Sequence, residues 1–167
     1  IKGHEGLELN DKQREKLIKK ASKVFGKYLT ALRFDWENDP HMKETPNRVT
    51  KAFVEELFAG NFKPKPKVTS FEDEDKVLNY TGMIVQTDID IKSCCSHHFQ
   101  PFIGKCHIAY IPAEPTENKG GKVIGLSKLN RIADNCARRP QVQERLTKQI
   151  LLEVDKAVPG NRGIAVT

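Results

Sequence analysis

No apolar run in the 167 residues approaches the roughly 20 that a membrane-spanning helix needs, so no membrane partner is expected. The opening residues, Ile1-Lys2-Gly3-His4-Glu5-Gly6, hold no apolar segment of a secretory signal. Cysteine is scarce, with four residues. In a chain of this size without such a signal, they read as reduced thiols or metal ligands in a cytoplasmic protein, not as a disulfide framework. Aromatic residues make up only 7% and include one Trp, so the basic residues lack the interleaved stacking platforms of nucleic-acid binders. There is no internal repeat and no low-complexity segment. The length suits one domain with a real core.

What is present is charge. A net charge of +6 spread over many segments favours an anionic partner, and with nucleic acid disfavoured the better fit is a phosphate-rich small molecule. Steeply salt-dependent binding to random DNA or RNA would reverse that choice.

Leu9 to Phe34 reads as an amphipathic helix with Asn10 as N-cap and Leu17, Ala21, Val24, Tyr28 and Leu32 on its apolar face. Asp35 to Lys43 is a polar connection. Thr45 and Pro46 read as N-cap and first residue of a second helix, with Val49, Phe53 and Leu57 buried and Gly60 at its end. Asn61 to Asp75 is a linker. Met83 to Ile91 alternates as a strand. Pro101 and Gly104 break the chain before a strand from Cys106 to Ile111, whose Cys106 and Tyr110 share one face. Ala113 to Lys122 is a turn-rich loop, after which Val123 to Leu126 re-enters the core. Ser127 is expected to cap a third helix that buries Leu129, Ile132, Ala133 and Cys136. Pro140 is expected to start a fourth, lined by Val142, Leu146, Ile150 and Val154. Pro159 to Gly163 is a turn, and a last strand begins at Ile164. Two helices, two strands, two helices and a strand predict an antiparallel α+β unit with helices on one face. Its open edges favour self-association.

Chemistry concentrates at Ser93-Cys94-Cys95-Ser96-His97-His98-Phe99. A thiolate and an imidazole three residues apart, Cys95 and His98, can share a zinc ion if the backbone turns there. His97, between them, is a candidate acid/base. A buried thiol beside a surface histidine pair is the plainer reading. Arg48 and Lys51 share a helix face, either as solvated surface or as a phosphate clamp. Ser127 and Lys128 sit at a helix N-terminus with Arg131 one turn on, an arrangement that attracts anions. Gln143 and Glu144 lie in the fourth helix. A carboxylate there is either solvated or accepts the N1–H and 2-amino fork of guanine. Arg138 and Arg139 read as surface charges.

The runs Ile124-Gly125-Leu126-Ser127-Lys128-Leu129-Asn130-Arg131-Ile132 and Arg139-Pro140-Gln141-Val142-Gln143-Glu144-Arg145-Leu146-Thr147 closely resemble GTP cyclohydrolase I. Cys95 to Phe99 with Pro101 to Lys105 resembles the zinc motif of that family, and Glu44 to Val49 with Lys51 to Phe53 its helical entry motif. The resemblance runs from about Leu9 to Thr167. It implies a tunnelling fold over residues 76–167, an antiparallel sheet with two helices packed on one face. Residues 1–75 are then an N-terminal helical extension and linker. It also implies a toroidal homo-oligomer, a decamer in bacterial and animal members, with active sites at subunit junctions. The implied reaction opens the imidazole ring of GTP, releases formate and forms 7,8-dihydroneopterin triphosphate.

By position, the resemblance makes Cys95 and His98 two zinc ligands and His97 the proton donor and acceptor. Glu144 becomes the guanine anchor with Gln143 beside it. Ser127, Lys128, Arg131, Arg48 and Lys51 become parts of the triphosphate and ribose pocket. Ser96 stands where many members carry Glu, a departure that is either harmless or changes proton delivery. The family takes its third zinc ligand, a cysteine, from the final strand region, and this chain reaches only the start of that strand. The expectation is a longer natural protein. Within the given residues Cys94 is a poor substitute, because it points to the opposite side of the chain from Cys95. The alternative function is a non-catalytic assembly of the same fold that binds a purine or pterin.

Overall fold

The computed structural model describes residues 2–72, 81–114 and 121–167. The expected boundary between 75 and 76, the acidic residues 73–75 and the loop centre 115–120 lie outside them. The chain forms two compact units, Ile1–Lys65 and Pro66–Thr167.

In the first unit, Asn10 caps α1 (Asp11–Ala31) as expected. Its side chain accepts from the Gln13 N–H, and the Gln13 side chain accepts from the Asn10 N–H, a reciprocal capping box. The buried row differs from the expected one. Gly26 and Leu29 are buried, with Ile18 and Phe25 half-buried, whereas Val24, Tyr28 and Leu32 are exposed. α1 has apolar residues on more than one row. The row that α2 (Thr45–Ala52) and Trp36 cover is the one containing Gly26.

Glu44, not Thr45, occupies the N-cap of α2, and Thr45 and Pro46 are its first helical residues. A π-helical turn, Phe53–Leu57, follows, then α3 (Ala59–Phe62). The wider turn rotates the helix face, so Val54 is buried and Leu57 is exposed. Gly60 therefore lies inside α3 instead of ending a helix. Asn61, expected in a linker, is buried, and its amide donates to the carbonyls of Gly3 and Glu5.

The second unit is mixed α+β. A four-stranded sheet has the order β5 (Pro140–Gln141), β2 (Ile84–Cys95), β3 (Pro101–Ile111), β6 (Gly163–Val166). A two-stranded sheet pairs β1 (Ser70–Glu72) with β4 (Lys122–Ile124). β2, β3 and β6 are antiparallel, as expected, but β5 runs parallel to β2. Helices α4 (Leu126–Ala137) and α5 (Gln143–Ala157) contribute Leu129, Ile132, Cys136, Leu146, Ile150 and Val154 to one core, where they join Ile89, Ile91, Cys106, Ile108 and Tyr110 of the sheet. Cys106 and Cys136 are thus core thiols, as their periodicity indicates.

Three local readings change. The β2–β3 register slips between Gln86 and Ile89, with Asp88 at φ 57°. A bulge inserts an extra residue and reverses the alternation. The half-buried Ile84 and Gln86 are therefore followed by the buried Ile89, Ile91 and Ser93. Pro101 and Gly104 lie within β3 and do not break it. Pro101 is tolerated because it is the strand's first residue. Pro140 opens β5 instead of a helix, and α5 starts at Gln143 after the N-cap Val142.

Among the described residues, no helix is long and apolar enough to cross a membrane.

Candidate functional site

β2 ends in the chemistry-bearing turn. The Cys95 N–H donates to the Gln100 carbonyl at 2.8 Å, and the Phe99 N–H donates back to the Cys95 carbonyl at 2.9 Å. The loop is therefore closed on Cys95, with His97 and His98 inside the bend between Cys95 and Phe99. Phe99 sits at φ 53°. For a bulky residue this left-handed conformation costs of order 1–3 kcal/mol, so the strain falls within the candidate site. His97 and His98 are exposed, with ring centroids 6.2 Å apart and planes at 77°. Cys95 is half-buried, whereas Cys94 is 1% exposed. Burial, and then the neighbouring Cys95 sulfur, push the Cys94 thiol above its ordinary pKa. Cys94 is thus a buried thiol.

The turn offers one sulfur and one ring nitrogen, a donor pair of the type zinc accepts. Among the described residues, no three His, Cys, Asp or Glu side chains gather around a common point for a metal ion. The pair fits as part of a zinc site.

β5 brings the second set of residues to this turn. It pairs Cys94 with Pro140 and Cys95 with Gln141, and the Ser96 N–H donates to the Gln141 carbonyl at 2.9 Å. Gln143 and Glu144 follow at once in the first turn of α5, both exposed. Gln143 also lines a cavity of about 160 Å³ with Phe102, Gly104 and Thr147.

Ser127, Lys128 and Arg131 are on the first turns of α4. Ser127 does not cap the helix. Gly125 is the N-cap, and no side chain fills the cap hydrogen bond. Ser127 and Arg131 are exposed and Lys128 is half-buried. The far end of α4 is held at β2, because the Ser93 hydroxyl donates to the Ala137 carbonyl at 2.7 Å. Ten residues of helix separate Ser127 from Ala137, a rise of roughly 15 Å. Along α4, Ser127 thus lies that far from the Ser93–Ala137 contact. Arg48 and Lys51 are exposed on α2 of the first unit.

Sequence reasoning missed the groups that brace the turn. Arg139, expected on the surface, is 6% exposed and donates to the Asn135 side chain at 2.7 Å. Gln141 is fully buried. Hydropathy gives no reason to bury a glutamine. The one signal in the sequence is Arg145, four residues further on.

The family model described as GTP cyclohydrolase I matches residues 11–167. The chain belongs to the GTP cyclohydrolase I family. It is 45% identical over 145 residues to GTP cyclohydrolase 1 of Flavobacterium johnsoniae, covering 86% of this chain and 60% of that protein. For the protein of the same name from Aeromonas salmonicida, identity is 46% over 130 residues, or 77% of this chain and 55% of the relative. For that of Vibrio parahaemolyticus it is 38% over 159 residues, or 95% and 68%. The chain thus spans between about half and two thirds of the length of these relatives.

Proposed function

We propose that this chain is the larger part of a zinc-dependent GTP cyclohydrolase that adds water to GTP, opens the imidazole ring, releases C8 as formate and forms 7,8-dihydroneopterin triphosphate. The observation that carries the reading is the β2–β5 pairing, which seats the Cys95–His98 turn beside the helix start that presents Gln143 and Glu144.

Cys95 and His98 would hold the zinc, which when bound supplies Lewis-acid activation of water. Glu144 accepts two hydrogen bonds from guanine N1–H and the 2-amino group, with Gln143 beside it. His97, exposed beside the turn, delivers a proton to the purine nitrogen next to C8 and so makes that carbon electrophilic. Ser127, Lys128 and Arg131 bind phosphate oxygens at the N-terminus of α4, and Arg48 and Lys51, exposed on α2, serve the site of a neighbouring subunit. The distance along α4 supports a pocket completed by a second copy of the chain. The exposed row Val24, Tyr28 and Leu32 gives a homo-oligomer apolar surface to bury, and a toroidal decamer is the assembly proposed. The cytoplasm is the proposed location.

The test is formate release and pterin fluorescence from GTP with and without zinc, for the wild type and for His97→Ala and Cys95→Ala. Loss of His97 should lower kcat by about 10²–10⁴-fold with zinc retained, and loss of Cys95 should remove the zinc. A wild-type protein that binds GTP and zinc but makes neither product would favour the non-catalytic assembly.

A further inference from the structure

We propose that Gln141 and Arg145 form a positioning pair that holds the Cys95–His98 turn in register with the first turn of α5. The proposal rests on reading that turn and Gln143–Glu144 as parts of one site.

β5 is only two residues long. So short a strand cannot set its own place, and its bracing comes from side chains. The Gln141 amide donates to the Cys136 carbonyl at 2.8 Å and to the Gln149 side chain at 2.6 Å. Its oxygen accepts from the Arg145 Nε at 3.1 Å, and the Arg145 Nη2 donates to the Pro140 carbonyl at 3.0 Å. These bonds tie β5 to the end of α4 and to two turns of α5. The main chain of Gln141 does the rest. It pairs with Cys95, and its carbonyl accepts the Ser96 N–H. Side chain and main chain of one residue thus join the helix that carries Glu144 to the turn that carries Cys95 and His98.

A buried amide is costly to desolvate unless it is bonded. An apolar residue of the same size would fill the space at less cost. What the amide adds is direction, because three hydrogen bonds fix where the strand sits. The arrangement resembles the outer groups that orient metal-binding side chains, whose loss typically costs 10–100-fold.

The test uses the assembled, metal-loaded enzyme. Gln141→Met keeps the length and removes the amide. Arg145→Met, at a half-buried position, removes both guanidinium bonds and decides the matter if the first variant does not fold. Val154→Ala, fully buried on the same helix, controls for lost packing. Amide exchange of residues 93–100 is followed by mass spectrometry, and kcat and KM are measured for GTP. The Met variants should exchange about tenfold faster or more in that segment. Their kcat should fall about 10–100-fold while KM changes by no more than about threefold. Val154→Ala should leave all three readouts near wild type. Unchanged exchange in the Met variants, an equal change in Val154→Ala, or a raised KM with unchanged kcat would overturn the proposal. A wild type that releases no formate would defeat the functional reading alone. The exchange comparison would then still accept or reject the mechanical link.

Discussion

The Ser93 hydroxyl and the Ala137 carbonyl, 44 residues apart in the chain, meet at 2.7 Å. The bond fastens the strand that ends in the cysteine turn to the last residue of α4. Ser93 is 5% exposed, so water cannot replace the hydroxyl. Ser93→Ala should lower unfolding free energy by about 1–3 kcal/mol, the cost of a buried group left without its partner. Denaturant melts read this directly. A shift near zero would mean that the helix end is held elsewhere.

Glu144 gives a prediction about base selectivity. A carboxylate that accepts from both N1–H and the 2-amino group should discriminate against inosine triphosphate, which lacks the second donor. For the proposed activity, kcat/KM for GTP should exceed that for inosine triphosphate by at least about tenfold, and Glu144→Ala should shrink the ratio towards one. Equal loss for both substrates would remove Glu144 from guanine recognition.

In the first unit, Gly26 lets Trp36 lie against α1. A Cβ at position 26 would come within 2.8 Å of the Trp36 ring. The Trp36 indole N–H also donates to the Thr30 hydroxyl at 3.0 Å. Gly26→Ala improves helix propensity by about 1 kcal/mol, but it must push the ring away and break that bond. The expected outcome is net destabilisation with a red-shifted emission, read cleanly because the chain has one Trp. An unchanged spectrum would show that the ring moves at no cost.

Glu55 gives a prediction in pH. Burial raises its pKa, but hydrogen bonds from Lys63 and Arg14, at 3.0 and 2.9 Å, outweigh burial and leave it below the ordinary 4.5. A carboxyl depressed in the folded state binds its proton more readily when unfolded. Its stabilisation is therefore present above about pH 4.5 and is lost as pH falls through the folded value. Partial exposure limits the effect to about 1 kcal/mol. Comparing Glu55→Gln with wild type across pH 3 to 6 should show the difference closing on the acid side. A constant difference would mean that the pairing does not act through ionisation.

Much of the second unit is legible from apolar spacing. Leu129, Ile132, Ala133 and Cys136, and then Leu146, Ile150 and Val154, recur at helical steps and are all buried. These helices face one sheet, so a single period governs each. α1 was harder because its apolar residues fill more than one row, and periodicity does not say which row finds a partner. The π turn at Phe53–Leu57 and the bulge at Asp88 each shift the count by about one residue. Such a shift flips the face of everything beyond it, and neither feature has a strong local signature. Short β5 resembles a helix start in sequence, because Pro140 is also a good first helical residue. Its pairing partner lies some 45 residues earlier in the chain, beyond the reach of local rules.

Residue order alone dictates the donor types at Cys95 and His98, the carboxylate at Glu144, the cations of α4, and membership of a family. These are chemical identities and near-neighbour spacings, which survive without a fold. Which groups share a place was decided only by the folded chain. A parallel two-residue strand pairs Cys95 with Gln141, two residues before the start of α5, and Lys128 lies in the first turn of a 12-residue helix whose last residue bonds to β2. Contacts between distant segments depend on packing and on buried hydrogen bonds such as those of Gln141, and no window of sequence contains both partners.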